Sequence, residues 1–564
     1  MKCAVGLLWL AVVSLAAQNP ATALRQLFDQ EWERSLRISP VFASTMGDTR
    51  YAQRWSDLSP AALERDYHDA KTTLRRLRAL PPGSSGDAVN RAILDRILAE
   101  QVEEYDLGWR FVPVNMRDGI QNTADVANLL NFRGEKDYRD WLARLRAFPV
   151  YADQTIALMR EGIRRKLVQP KIVMQRVPGQ IDRQLASNPF LLPFTKQSPE
   201  LRNEAIAVIQ SAVFPALRKF KTFIEQEYLP ACYDGVGIWQ APEGEKLYAY
   251  FARSFTTTRL SPDEIHAIGL REVARIKDDM YSIQRKVGFA GTLPEFFHHL
   301  RTEPKFYYPS AEALLEGYRA MAKQIDPTLV KLFRKLPRTP YGVEPIPAEI
   351  APDTTAAYYQ PPAGDGSRAG TYFVNLYKPE MRPKWEMMAL SLHESVPGHH
   401  TQIAYAQELG EIPKFRRFLA SFTAYVEGWA LYSESLGTEL GLYEDPYAKF
   451  GQLTYEMWRA VRLVVDTGIH HKRWTRQEAI DYFLANAPKT ELDVANEIDR
   501  YIGWPGQALG YKIGELKIKE LRRRAETKLG SKFDLKAFHD AVLSTGAVPL
   551  DVLEAAVTAW INER

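Results

Sequence analysis

The chain has 564 residues, 46% hydrophobic and 25% charged, the balance of an ordinary globular protein rather than a disordered or fibrous one. Lys and Arg number 73 against 69 Asp and Glu, a formal net charge of +4 that is too small for a strongly basic nucleic-acid binder. Such a length suits about two to four domains, or one large helical enzyme.

Residues 1–17, MKCAVGLLWLAVVSLAA, carry one Lys, an apolar run and then small residues, with Ser14 and Ala16 offering a small-x-small cleavage site. This reads as a secretory signal peptide, which places the mature protein in the periplasm or outside the cell. The alternative is an anchor that stays attached, for which the run is short. Cys3 precedes the run, so it is not the lipid-modified cysteine that would follow it. Cleavage leaves Cys232 alone, and no intrachain disulfide can then form. No later segment holds 18 uninterrupted apolar residues, so no stable membrane association is expected after signal cleavage.

The rest is mostly of helical period. Segments 59–80, 88–105, 198–229 (kinked at Pro215) and 261–288 read as helices, the last opening on Ser-Pro-Asp-Glu and closing on Gly. The segment 358–377, YYQPPAGDGSRAGTYFVNLY, predicts two short strands joined by a loop. The expectation is a mainly α fold with a small sheet beside the active-site helices and a deep channel between two helical halves. The candidate regions are 18–240 and 241–564; a single continuous fold is equally tenable.

Three of the ten histidines lie within eight residues, His393-Glu394-Ser395-Val396-Pro397-Gly398-His399-His400, after a predicted helix over 385–396. In H-E-x-x-H the two imidazoles stand one helical turn apart and share a Zn²⁺, with the Glu beside the zinc-activated water as base. Here Pro397 occupies the i+4 position. On a regular helix His399 would point about 120° away from His393, and His400 would sit about 10.5 Å further along the axis. Pro397 lacks the donor to the His393 carbonyl, and Gly398 tolerates unusual backbone angles, so a bulge or break is encoded here. His399 is favoured as the second ligand, with His400 as the fallback. A solvated helix end is the bland alternative.

TAYVEGWALYSESLG (423–437) supplies a third ligand, with Glu427 and Glu434 seven residues apart on one helical face. Glu427 is preferred because Gly428 beside it allows close helix approach; Glu434 as the ligand, or both as plain surface charges, are the alternatives. Two imidazoles and a carboxylate leave one zinc position open for water.

HESVPGHHTQ, YVEGWALYSE, RLVVDTGIHHKRW and RYIGWPGQALGYKIG, with GDGSRAGTYFVN (364–375), resemble the motifs of the bacterial "domain of unknown function 885" family. That family is grouped with helical zinc metallopeptidases resembling thimet oligopeptidase and carboxypeptidase Taq. The resemblance spans about residues 356–514 and implies a gluzincin-type site, with His393, His399 and Glu427 on zinc and Glu394 as general base. Where the parent motif has two residues between its histidine pair's Glu and second His, this chain has four, Pro397 among them.

Other segments offer supporting roles. In 458–474, Arg459, Arg462, Asp466 and His470 fall on related faces of an apolar helix, where Asp466 or His470 could assist the transition state or simply belong to buried pairs and caps. Tyr511, at a helix start after a Pro-Gly loop, could stabilise an oxyanion opposite the metal, with His470 as the next candidate; core packing is the alternative. Arg500, beside Tyr501, could hold a substrate carboxylate. Strand GTYFVNLY (370–377), with Tyr372 and Asn375, could pair as an edge strand with an extended peptide, or be a purely structural hairpin. The resulting expectation is zinc-assisted hydrolysis of peptide bonds in short peptides. A non-peptide amide hydrolase, a non-catalytic peptide-binding protein and a helical scaffold are the alternatives.

Overall fold

Helices dominate the computed structural model, which describes residues 20–564 apart from 82, 349, 350 and 354. The expected signal peptide at 1–17 lies outside the described residues. Predicted helices appear where their caps place them. Pro60–Ala79 starts behind Ser59, whose side chain accepts from the Ala62 amide, and Pro262–Lys286 (α1) starts on a capping box of Ser261 and Glu264. Between 199 and 231 the helical path stays continuous, and wider π turns at Ile209–Val213 and Ile224–Tyr228 interrupt it. The first falls just before Pro215, where the ring removes a donor and crowds the preceding turn.

The chain has a three-stranded sheet: β1 (Tyr341–Pro345), β2 (Ala357–Gln360) and β3 (Gly370–Val374), in the order β1-β3-β2. Sequence reading finds β2 and β3. It misses β1, whose Gly342 and Pro345 disguise the strand. The edge-strand expectation for 370–377 is overturned: β3 is central, parallel to β1 on one side and antiparallel to β2 on the other, so its backbone groups are already paired.

Six further helices build the interior: α2 (Lys384–Glu394), α3 (His399–Glu408), α4 (Thr423–Leu440), α5 (Pro446–His470), α6 (Glu491–Gly503) and α7 (Gly510–Leu529). α5 is buried on all sides from Phe450 onward save Trp458, as an axial helix must be when α1, α2 and α7 surround it. Several of its charged side chains are paired inside the fold. Glu456 meets Lys512 Nζ at 2.8 Å, and that fully buried ammonium also reaches Glu515 (2.6 Å) and Glu272 (3.1 Å), which ties α1, α5 and α7 together. Two large hydrophobic cores each draw on both sides of residue 240. Trp141 and Phe190 share one with Val461 and Tyr501, and Leu27 and Leu94 share the other with Trp429 and Leu521. A cleft of about 690 Å³ is lined from both halves, including Arg117 and Arg176 from one and Leu390, Tyr455 and Glu497 from the other. Among the described residues, no helix is long and apolar enough to cross a membrane.

Candidate metal centre

The histidine segment breaks where Pro397 and Gly398 require it. α2 ends at Glu394 and α3 begins at His399, with a cis Val396–Pro397 peptide between them. Gly398 has φ −74° and ψ −126°, outside the regular helical and extended regions, and a Cβ there would lie 1.9 Å from the His393 carbonyl oxygen. Trp429 of α4 fastens the break by donating its indole N–H to the Pro397 carbonyl at 2.8 Å. The break swings His399 back toward His393, and the two ring centroids stand 4.8 Å apart.

α4 supplies carboxylates to both sides of His393. Glu427 Oε2 lies 3.4 Å from His393 Nε2 and 3.5 Å from His399 Nε2. Seven residues on, Glu434 Oε1 accepts from His393 Nδ1 at 2.8 Å and lies 3.3 Å from Arg459 Nη2. Glu434 is completely buried, whereas Glu427 is half-buried and reachable. The heptad spacing thus gives the two carboxylates different positions: Glu427 faces both histidines, and Glu434 orients one of them.

The electrostatics follow from this packing. Burial works against a charged His393, yet the facing carboxylates of Glu427 and Glu434 outweigh it and raise the imidazole to about 9. Burial likewise opposes the Glu427 carboxylate, but His399 and His393 hold it well below the usual carboxylate range. The site demands positive charge, as protons or as a cation. His393, His399 and Glu427 present one ligand atom each, all within 4.8 Å of one another. Donors bound tetrahedrally at about 2.0–2.1 Å lie about 3.3–3.4 Å apart. The Glu427 contacts match that spacing and exceed the usual hydrogen-bond length, and Glu427 Oε2 has no hydrogen-bond partner among the described residues. Two imidazoles and a carboxylate are donors suited to zinc, with a position left open.

Glu394, next to His393, is half-buried and stands outside the ion pairs that occupy Glu427 and Glu434 among the described residues. Tyr511 reaches the same region because α4 and α7 cross at Gly428 and Gly514. A Cβ on Gly428 would lie 2.6 Å from Gly514 Cα, so only paired glycines permit this approach. Tyr511 sits one turn before Gly514, as Glu427 sits one residue before Gly428. Burial pushes the phenol pKa up, and the Glu427 charge adds to that.

The remaining sequence candidates are committed to other contacts. His400 turns toward the sheet, with Nδ1 2.9 Å from the Tyr359 hydroxyl and Nε2 3.0 Å from the Thr339 carbonyl. His470 lies eleven residues beyond Arg459 on α5, about 16 Å along the axis. Its Nδ1 accepts from the Ile238 amide at 3.1 Å and its Nε2 donates to the Tyr501 carbonyl at 2.9 Å, so both ring nitrogens serve the scaffold. Asp466 accepts from the Tyr248 hydroxyl at 2.7 Å. Tyr372 is buried with its hydroxyl 3.4 Å from Ser391, and Asn375 donates to the Ala351 and Thr355 carbonyls, holding the loop before β2. Tyr501 spends its hydroxyl on Glu497 (2.7 Å), Arg462 (2.9 Å) and Trp458 (3.0 Å). Arg500 donates to Gln507 at 2.8 Å and stands 3.8 Å from Glu497. Sequence reading singles out Glu434 and Arg459 separately and misses that they pair, at 3.3 Å, to orient His393. Arg117, 3.6 Å from Glu497, carried no signal at all.

Fold and site together define a mainly helical protein with a buried two-histidine, one-glutamate cluster at a helix break. The chain belongs to the family of bacterial proteins of unknown function (DUF885), whose model matches residues 40–557. It is similar, at 31% identity, to a protein of solved structure from Colwellia psychrerythraea described as "the putative lipoprotein", covering 97% of this chain and all of that one with a TM-score of 0.93. A "putative lipoprotein of unknown function" from Shewanella oneidensis shares the fold at 18% identity, with a TM-score of 0.73 and coverage of 96% of this chain and all of that one. No curated protein matches the chain.

Proposed function

We propose that this protein is an exported zinc-dependent peptidase acting on short peptides. The observation that carries the reading is the placement of Glu427 Oε2 3.4 and 3.5 Å from the Nε2 atoms of His393 and His399, co-ligand spacing at a buried site. The motif resemblance to helical zinc metallopeptidases supports it. Export is supported by the signal-like residues 1–17 and by the description of both solved neighbours as lipoproteins of the kind quoted above.

His393, His399 and Glu427 would hold the ion, and zinc bound there supplies Lewis acidity and acidifies water. Glu434 accepts the His393 Nδ1 proton, which fixes the tautomer and leaves Nε2 free to bind; Arg459 in turn holds Glu434. Glu394 takes a proton from the attacking water and delivers it to the leaving amide nitrogen. The Tyr511 phenol donates to the carbonyl oxygen as negative charge develops. Digestion of a mixed peptide library by the purified protein, with and without a chelator, tests the reading.

A further inference from the structure

Three arginines gather on one carboxylate, Glu497, and one of them, Arg462, stands a helical turn along α5 from Arg459, which holds Glu434 beside His393. Glu497 lies 3.1 Å from Arg462, 3.6 Å from Arg117 and 3.8 Å from Arg500, and among the described residues it is the one carboxylate within ion-pair distance of each. Arg462 and Arg500 are 4% and 7% exposed and share Glu497, so about one positive charge is buried without a matching anion. Arg462 Nη1 and Arg500 Nε also have no hydrogen-bond partner among the described residues. Asp466 stands close enough to feel Arg500, but burial pushes it up to about 7, and its oxygens are taken by the Tyr248 hydroxyl and the Gly506 amide. A buried guanidinium left short of acceptors is costly unless a ligand supplies them.

The position of this excess gives it meaning. Arg462 stacks 4.4 Å over the Tyr511 ring, and Tyr511 in turn neighbours Glu427. Arg459, one turn earlier on α5, touches Glu434 beside His393. Arg117 and Glu497 line the cleft, and so does Leu390, one turn before His393 on α2. Arg117 and Glu497 thus put one side of the arginine cluster on the cleft, with Arg462 and Arg500 buried against Glu497.

Resting on the peptidase reading, we infer that Arg462, Arg500 and Arg117 form an anchor for the free C-terminal carboxylate of a substrate entering this cleft. A guanidinium fork matches a carboxylate bidentately, and both buried arginines have N–H groups to spare.

The test uses the full-length, zinc-supplemented Glu394→Gln protein, so that peptides are bound and not consumed. A library of N-acetylated tripeptides is prepared as free acids and as C-terminal amides, both containing Asp and Glu, and retained peptides are counted by mass spectrometry after ultrafiltration. The expected result is retention of free acids over amides by about tenfold or more, the value of a charge-assisted contact. Arg500→Gln or Arg462→Gln should shrink that ratio toward one. The comparison of peptide forms on one protein stands even where an arginine variant fails to fold. Equal retention of acids and amides overturns the anchor. Selective retention of amides with acidic side chains overturns the C-terminal assignment in favour of a side-chain carboxylate. Preferential binding of free acids by a protein that hydrolyses nothing would uphold the anchor and contradict the peptidase reading.

Discussion

Glu434 Oε1 lies 2.8 Å from His393 Nδ1, on the opposite side of the ring from Glu427. One imidazole thus bridges two carboxylates of a single helix, and the bridge sets which nitrogen is free to take a metal. Nδ1 must carry the proton to donate to Glu434, so Nε2, facing Glu427 and His399, is the nitrogen that would give up its proton to a cation.

The ligand assignment is tested by metal content. His399→Ala should lose zinc and His400→Ala should keep it, since His400 is engaged with Tyr359 and Thr339. Glu434→Gln should keep zinc with affinity weakened about 10–100-fold, the usual effect of removing an orienting carboxylate. Elemental analysis and competition with a chromogenic chelator read all three. Retention of full affinity by His399→Ala would remove that residue from the site.

Base and ligand roles separate in Glu394→Gln. The amide keeps the shape of the side chain but cannot accept the water proton, so hydrolysis should fall about 10²–10⁴-fold while zinc content stays near wild type. Wild-type turnover in this variant would exclude Glu394 as the base.

Tyr511→Phe isolates the oxyanion contact. Loss of one such donor typically costs about 10²–10³ in kcat, and KM should change little because the bond strengthens only as charge develops. The phenol packs under Arg462, so a thermal melt accompanies the kinetics to separate lost chemistry from lost packing. Near-normal kcat would return Tyr511 to a packing role.

The histidines of the scaffold make acid pH destabilising. Burial lowers His470 to about 4 and His539 to about 3. His539 Nδ1 donates to the Leu332 carbonyl and its Nε2 accepts from the Tyr432 hydroxyl, a pattern only the neutral ring can satisfy. In the unfolded chain both titrate near 6.5, so as pH falls below that value the unfolded state binds protons that the native state refuses. Stability is therefore lost progressively from about pH 6.5 toward pH 4. Imidazole proton resonances of the two residues should stay fixed down to pH 5, while the denaturant midpoint drops. Titration of either near 6.5 would contradict this.

Local chemistry made much of the site legible in the sequence. The Pro397-Gly398 pair announced a break, a single-residue property, and Glu427 and Glu434 announced a shared face through their heptad spacing. Long-range partners were harder to read. Arg459 looked like any helical arginine until α5 packed against α4, and Arg117 gained meaning only from Glu497, 380 residues later. β3 was legible as a strand but not as a central one, because its place in the sheet depends on β1, whose Gly and Pro hide it. Tyr501 and Asn375 looked available for substrate, and packing commits both to internal hydrogen bonds.

The claim on which the account turns is that the His393–His399–Glu427 cluster is the zinc site of a working peptidase. Its most direct test is a mixed peptide library digested by the purified full-length protein and read by mass spectrometry, first as isolated, then after chelation, then with zinc restored. The account predicts peptide-bond cleavage that stops on chelation and returns with zinc. A zinc-loaded protein that leaves every peptide intact would contradict it.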